Sequence, residues 1–148
     1  MRVAILVLFV FMACLLASCG GEVDTSDAEA SVRLRLEQLS RGEYGKAWDT
    51  LHPAHQEIVS RQKFIECGRE LALQRDPSVD SIIIIDARQQ TKEIVWIGEV
   101  EVIEVEVDWR TGENLRRSID DVIEVDSAWR WVIGEPALRA FQSGVCPA

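Results

Sequence analysis

The sequence predicts an α+β domain in which N-terminal helices pack on a strongly curved antiparallel β-sheet of about four strands. Two observations carry this. Apolar residues recur at helical spacing as far as Leu73 and at extended spacing after Pro77, and a change of period from 3.6 to 2 marks a change of element type. The extended part is broken by Arg110-Thr111-Gly112-Glu113 and by Asp126-Ser127, turn signals short enough to join antiparallel neighbours.

Ahead of that domain, Arg2 and the apolar run 3–16 have the layout of a secretory signal, a positive start followed by a short hydrophobic stretch. The run falls short of the about 20 apolar residues a transmembrane helix needs. Leu16-Ala17-Ser18-Cys19 resembles the bacterial lipobox. That resemblance implies cleavage before Cys19, lipidation of Cys19 and loss of Cys14 with the leader. The alternatives are a plain secretory signal and an uncleaved apolar anchor. Gly20, Gly21 and the acidic stretch 22–27 then read as a flexible tether, since such composition neither packs nor stiffens. The chain divides accordingly into a leader at 1–18, a lipidated cysteine and tether at 19–27, and a single domain at 28–148. The glycine after Cys19 resembles the sorting pattern of lipoproteins held on the periplasmic side of the outer membrane, in a cell with two membranes.

The elements of the domain follow in order. Ser26 and Glu29 form a capping-box pattern, and Ala28, Val32, Leu36 and Leu39 share one face until Gly42 stops the helix. Tyr44, Ala47, Trp48 and Leu51 repeat at i, i+3, i+4, i+7 and predict a second buried stripe. Pro53 suits a first helical position, and Ser60 suits the cap of a third long helix whose inner face holds Phe64, Ile65, Gly68, Leu71 and Ala72. Beyond Pro77, the β-branched run 82–85 predicts a buried strand.

The segment 93–109 alternates apolar and acidic residues, but the alternation slips at Val102-Ile103. A β-bulge there would return Glu99, Glu101, Glu104, Glu106 and Asp108 to one face. Seventeen extended residues would span roughly 55 Å, against a radius of gyration near 14 Å for a domain this size, so the strand must bend. After the turn at 110–113, Ile119, Ile123 and Val125 are the expected inward residues of the next strand, Trp129, Trp131 and Ile133 those of the last, and Pro136 opens a terminal helix carrying Leu138 and Phe141.

Composition bounds the partners. Cleavage before Cys19 removes one of the 16 basic residues and none of the 25 acidic ones, so the net charge moves from −9 to about −10. That balance argues against nucleic acid and against docking on anionic headgroups, both of which require basic patches. The expected membrane link is therefore the lipid on Cys19 alone, with a small apolar ligand or an envelope protein as partner. Cys67 and Cys146 are the remaining thiols. In an oxidising compartment they are expected to bridge, closing a ring of roughly 80 residues worth about 4 kcal/mol on chain-entropy grounds; the alternative is two separate thiols.

The run 42–53 (Gly-Glu-Tyr-Gly-Lys-Ala-Trp-Asp-Thr-Leu-His-Pro), Phe64 on the next long helix and the bent meander ending in Trp129-Arg130-Trp131 resemble the cystatin-like, nuclear-transport-factor-2-like superfamily, and within it small lipoproteins of uncharacterised role. The resemblance covers about 28–133 and implies a curved sheet wrapped around helices as a cone whose mouth holds a small molecule. Members include isomerases, dehydratases and binding modules, so the fold does not choose among functions.

No P-loop, nucleophile elbow or glycine-rich nucleotide loop occurs, and no cofactor is expected. His52 and His55 could face one metal, but two ligands do not make a site and no metal is expected. His52 with an inward Asp121 is the one acid–base pair the pattern offers, Asp121 sharing parity with Ile119 and Ile123; the alternative is an exposed strand acid. Tyr44, Trp48, Trp129 and Trp131 are the candidate pocket residues, either lining an apolar cup or filling it as core. The acid row reads as a solvated strand face balanced by Arg116, Arg117 or Arg130, or as a surface for a basic partner or for weakly held divalent cations. A non-catalytic binding or interaction module is the expected function, with a small isomerase or dehydratase and a structural envelope protein as alternatives.

Overall fold

The computed structural model describes residues 23–74 and 78–147. Cys19, its leader and most of the tether lie outside them. The order is α1 (Ser26–Ser40), α2 (Tyr44–Asp49), α3 (Pro53–Gln56), α4 (Arg61–Gln74), β1 (Ser81–Ile94), β2 (Gly98–Thr111), β3 (Asn114–Val125), β4 (Ala128–Trp131) and α5 (Glu135–Gln142). The strands form one antiparallel sheet in the order β1-β2-β3-β4, giving the α+β architecture that the change of period predicts. Among the described residues no helix is long and apolar enough to cross a membrane.

Thr25, one residue before the expected cap, holds the N-cap position of α1. Its carbonyl accepts the Glu29 amide and its hydroxyl donates to the Glu29 carboxylate at 2.7 Å. Asp27 and Glu29 in the first turn also suit the positive end of the helix dipole. Gly42, at φ 71°, ends the helix with its amide on the Leu39 carbonyl. α2 then places the Tyr44 ring against α4 at Gly68, where a Cβ would lie 2.6 Å from the ring. Overpacking of this kind costs about 1–3 kcal/mol, more than the about 1 kcal/mol that alanine gains over glycine in a helix. Gly68→Ala is therefore expected to lower the thermal midpoint despite its better propensity; an unchanged or raised midpoint would mean that the Tyr44 ring moves aside freely.

The β-meander departs from expectation in two places. The segment 93–109 is not one strand, because the chain turns between Ile94 and Gly98, with Trp96 at φ 67° and Gly98 at φ 97°. There is also no bulge at Val102-Ile103: β2 keeps its register with β1 there, and the irregularity lies in β1 between Ile84 and Asp86. The alternation slips because around Val102 the sheet carries apolar residues on both faces. Ile103, Val105 and Val107 face the helices in the main core with Val32, Leu51, Trp131 and Leu138, while Val102 joins Ile94 and Ile123 in a second cluster on the outer face.

The acid row is consequently split between the faces. Glu104, Glu106 and Asp108 share the parity of Val102, whereas Glu99 and Glu101 share that of Ile103 and are exposed. On the outer face Glu104 pairs with Arg88 and Lys92, while Arg117 spans Glu106 and Asp108. Of the expected balancing arginines only Arg117 does this; Arg130 bonds the Asp49 carbonyl and Arg116 lies over Trp109. Hydrogen bonds from Lys92 hold the Glu104 carboxyl below its usual range against the effect of burial.

Cys67 and Cys146 form the expected disulfide, with Cα atoms 5.2 Å apart, and it ties the chain beyond α5 to α4.

Candidate functional site

A cavity of about 690 Å³ opens between the helices and one end of the sheet, within the range of small-molecule sites. α1 contributes Arg35, Leu36 and Leu39; α2 and α4 contribute Tyr44, Phe64 and Leu71. The sheet adds Trp109, Arg116 and Trp131, and α5 closes the wall with Ala137 and Phe141. Leu36 and Leu39 are only half-buried although they lie on the inward face of α1, because both border the cavity, Leu36 while also packing against the main core. Phe64 sits between Trp131 and Phe141, with ring centroids 5.8 and 6.0 Å away. Cys67 and Pro147 also border the space, so the disulfide holds the tail as part of the wall.

Of the four pocket residues expected from the sequence, Tyr44 and Trp131 line this cavity. Trp48 and Trp129 do not; both pack against the main core, and the Trp48 indole donates to the Val59 carbonyl at 2.7 Å. Trp131 is fixed by its indole N–H on the Ala47 carbonyl at 2.8 Å and by backbone bonds to Thr50 and His52. The residues not anticipated are Trp109, Phe141, Arg35, Arg116 and Asp120. Trp109 was legible by parity with Val105 and Val107.

The acid–base pair does not assemble. Asp121 pairs in register with Glu104, so its side chain belongs to the outer face, where its carboxylate accepts from Lys92 at 2.7 Å. Burial alone would depress the Lys92 ammonium, but its bonds to Asp121 and Glu104 outweigh that and raise its pKa. Ile119 shares this face and is exposed, while Ile123 lies in the outer cluster. The inward residues are Val122, Asp120 and Ser118, paired with Ile103, Val105 and Val107. Asp121 also borders the cavity, as does Val132, whose amide donates to the Asp121 carbonyl. His52 is absent from the cavity wall; it caps α3, its Nδ1 accepting from the Ala54 amide at 3.2 Å.

His55 is likewise structural. Its Nδ1 accepts from the Ile133 amide at 3.1 Å, so the proton sits on Nε2, which donates to the Val95 carbonyl at 2.9 Å. The ring is wholly buried, and that burial pushes its pKa down against the bond to Val95. His52 is also lowered, first by burial and then by the nearby His55 and Arg130. For each histidine the folded pKa lies below the unfolded value of 6.5, so the unfolded chain binds protons first as the pH falls. The stabilising contribution is complete above pH 6.5 and is lost below it, by up to about 1.4 kcal/mol per pH unit for one histidine. Urea unfolding is expected to give a lower stability at pH 5.5 than at pH 7.5; equal stabilities would contradict a neutral buried His55.

Two arginines give the cavity its polarity. Arg35 is 8 % exposed, lies over the Trp131 ring at 4.9 Å and pairs through one Nη with Asp120. Its Nε is buried without a partner among the described residues. Asp120 is also bonded by the Ser118 hydroxyl at 3.1 Å. Arg116 is exposed and lies 5.5 Å over the Trp109 ring. No described carboxylate pairs with it. Neither a protein-family model nor a curated protein matches this sequence.

Proposed function

We propose that the chain is a membrane-anchored extracytoplasmic lipoprotein, lipidated at Cys19, whose nuclear-transport-factor-2-like domain is a non-catalytic small-ligand-binding module. In a cell with two membranes its place is the periplasmic side of the outer one. The observation that carries the binding reading is the cavity of about 690 Å³, walled by Tyr44, Phe64, Trp109, Trp131 and Phe141. Tyr44, Trp131 and Phe141 are buried while Phe64 and Trp109 are only half-buried; the apolar wall left unfilled forgoes packing energy, which a ligand that completes the packing restores. His52 is not part of the cavity wall and the Asp121 carboxylate is held by Lys92, so the pair that an isomerase or dehydratase reading needs does not meet across this space.

Photolabelling of the full chain in membranes with a small apolar diazirine, followed by peptide mapping, tests the binding reading. Label is expected on the segments around Phe64 and around Trp131–Phe141, and Ala137→Trp, which narrows the space, is expected to reduce it without loss of the folded state. Label spread evenly over the surface, or unaffected by Ala137→Trp, would refute it. The anchor is tested separately: Cys19→Ala is expected to release the chain into the soluble fraction, and unchanged membrane association would refute lipidation as the link.

A further inference from the structure

We infer that the ligand of this cavity is an amphipathic monocarboxylate, an apolar body with a single anionic head that engages Arg116. The inference deepens the binding reading above and rests on it. Four charged residues border the cavity: Arg35, Arg116, Asp120 and Asp121. Both carboxylates are already committed, Asp120 to Arg35 and Ser118, and Asp121 to Lys92, which is not part of the wall. Arg35 is in turn committed to Asp120. Arg116 is the cation left over, and its pairing with Trp109 in the β2–β3 register puts both on the helix-covered face. Stacking on Trp109 holds the guanidinium plane at the cavity while leaving its edge donors free for a carboxylate, which matches that fork geometry.

The remaining wall sets the rest of the ligand. From Arg116 towards Asp120, four residues further along β3 on the same face, the strand covers roughly 13 Å. Leu36, Leu39, Phe64 and Leu71 from the helices also line the cavity, so a chain or ring system lying in it meets carbon. At the far end, Arg35 spends one N–H on Asp120 and leaves its other donors without a described partner. An anion also suits the charge balance: with Asp121 neutralised by Lys92 from outside the wall, the two guanidiniums and the Asp120 carboxylate leave one positive charge there, in a chain with a net charge of −9.

The test is competition against the diazirine label by dodecanoate and by dodecan-1-ol, on the full chain in zwitterionic membranes. The ratio of the two half-blocking concentrations is compared between wild type and Arg116→Gln, a comparison in which partitioning into lipid cancels. Arg116 is exposed, so the variant retains the fold. The expected result is a shift of the ratio towards the alcohol by at least fivefold in Arg116→Gln and a smaller shift in Arg116→Lys, which keeps the charge but loses the fork. An unchanged ratio would overturn the inference while leaving the cavity as a binding site. Failure of both compounds to compete with a label that does map to the cavity overturns the inference; absence of cavity labelling overturns the binding reading as well.

Discussion

Replacing His55 by alanine is expected to lower the unfolding free energy by about 3–5 kcal/mol, a large share of the about 5–15 kcal/mol typical of a domain. Three effects add. The Ile133 amide loses its acceptor in a buried position and the Val95 carbonyl loses its donor, each orphaned group costing about 1–3 kcal/mol when water cannot reach it. The removed ring also leaves a void between α3 and the chain after β4, where it is wholly buried. In thermal unfolding the loss corresponds to roughly 10–20 °C for a chain of this length. His55→Gln keeps one donor and one acceptor and is expected to lose less than the alanine variant. A loss under about 1 kcal/mol in His55→Ala would mean that water replaces the imidazole and that the residue does not organise the junction.

Removal of the Cys67–Cys146 bond is expected to cost a comparable amount, about 3–4 kcal/mol. The bond joins residues 79 apart in the sequence, and the larger the loop closed, the more conformational entropy is withheld from the unfolded chain. Its effect extends to the cavity, because Cys67, Phe141 and Pro147 all border the space. In Cys67→Ser/Cys146→Ser, or after reduction, thermal scans are expected to show a midpoint lower by roughly 10–15 °C. Amide exchange is expected to quicken in α5 and the tail first, since their covalent tie to α4 is gone. A reduced protein with an unchanged midpoint would show that packing of Leu138 and Phe141 alone secures the tail.

How much of this was legible in the sequence follows from which signals survive packing. Helix and strand identities, the hairpin at Gly112, the turn at Asp126-Ser127 and the disulfide were readable because each depends on local chemistry: Gly112, Asp126 and Ser127 all take positive φ. The turn at 95–97 was missed because Val95-Trp96-Ile97 is made of strand-forming residues, and only Gly98 hinted at it. The bulge was misplaced for a related reason. The run Ile82-Ile83-Ile84-Ile85 contains the irregularity yet has no polar residue to register a slip, whereas the visible slip at Val102-Ile103 records an apolar cluster on the second face.

The site was half legible. Periodicity identifies inward residues but does not distinguish packed core from cavity wall, so Leu36 and Leu39 looked like Val32. Arg35 was invisible for the opposite reason, a charged residue at an inward position whose burial is supported by Asp120 on a distant strand and by Trp131. The parity error that favoured Asp121 over Asp120 came from taking Ile119 and Ile123 as inward, when the inward residue between them and the core is Val122.

The most direct test is a crystal structure of the chain grown with dodecanoate. Continuous density between Trp109, Phe64 and Trp131, with its head at Arg116, is the predicted result. Aromatic rings swung inward so that no volume remains beside Trp131 would contradict the account and move the functional surface to the outer face of the sheet.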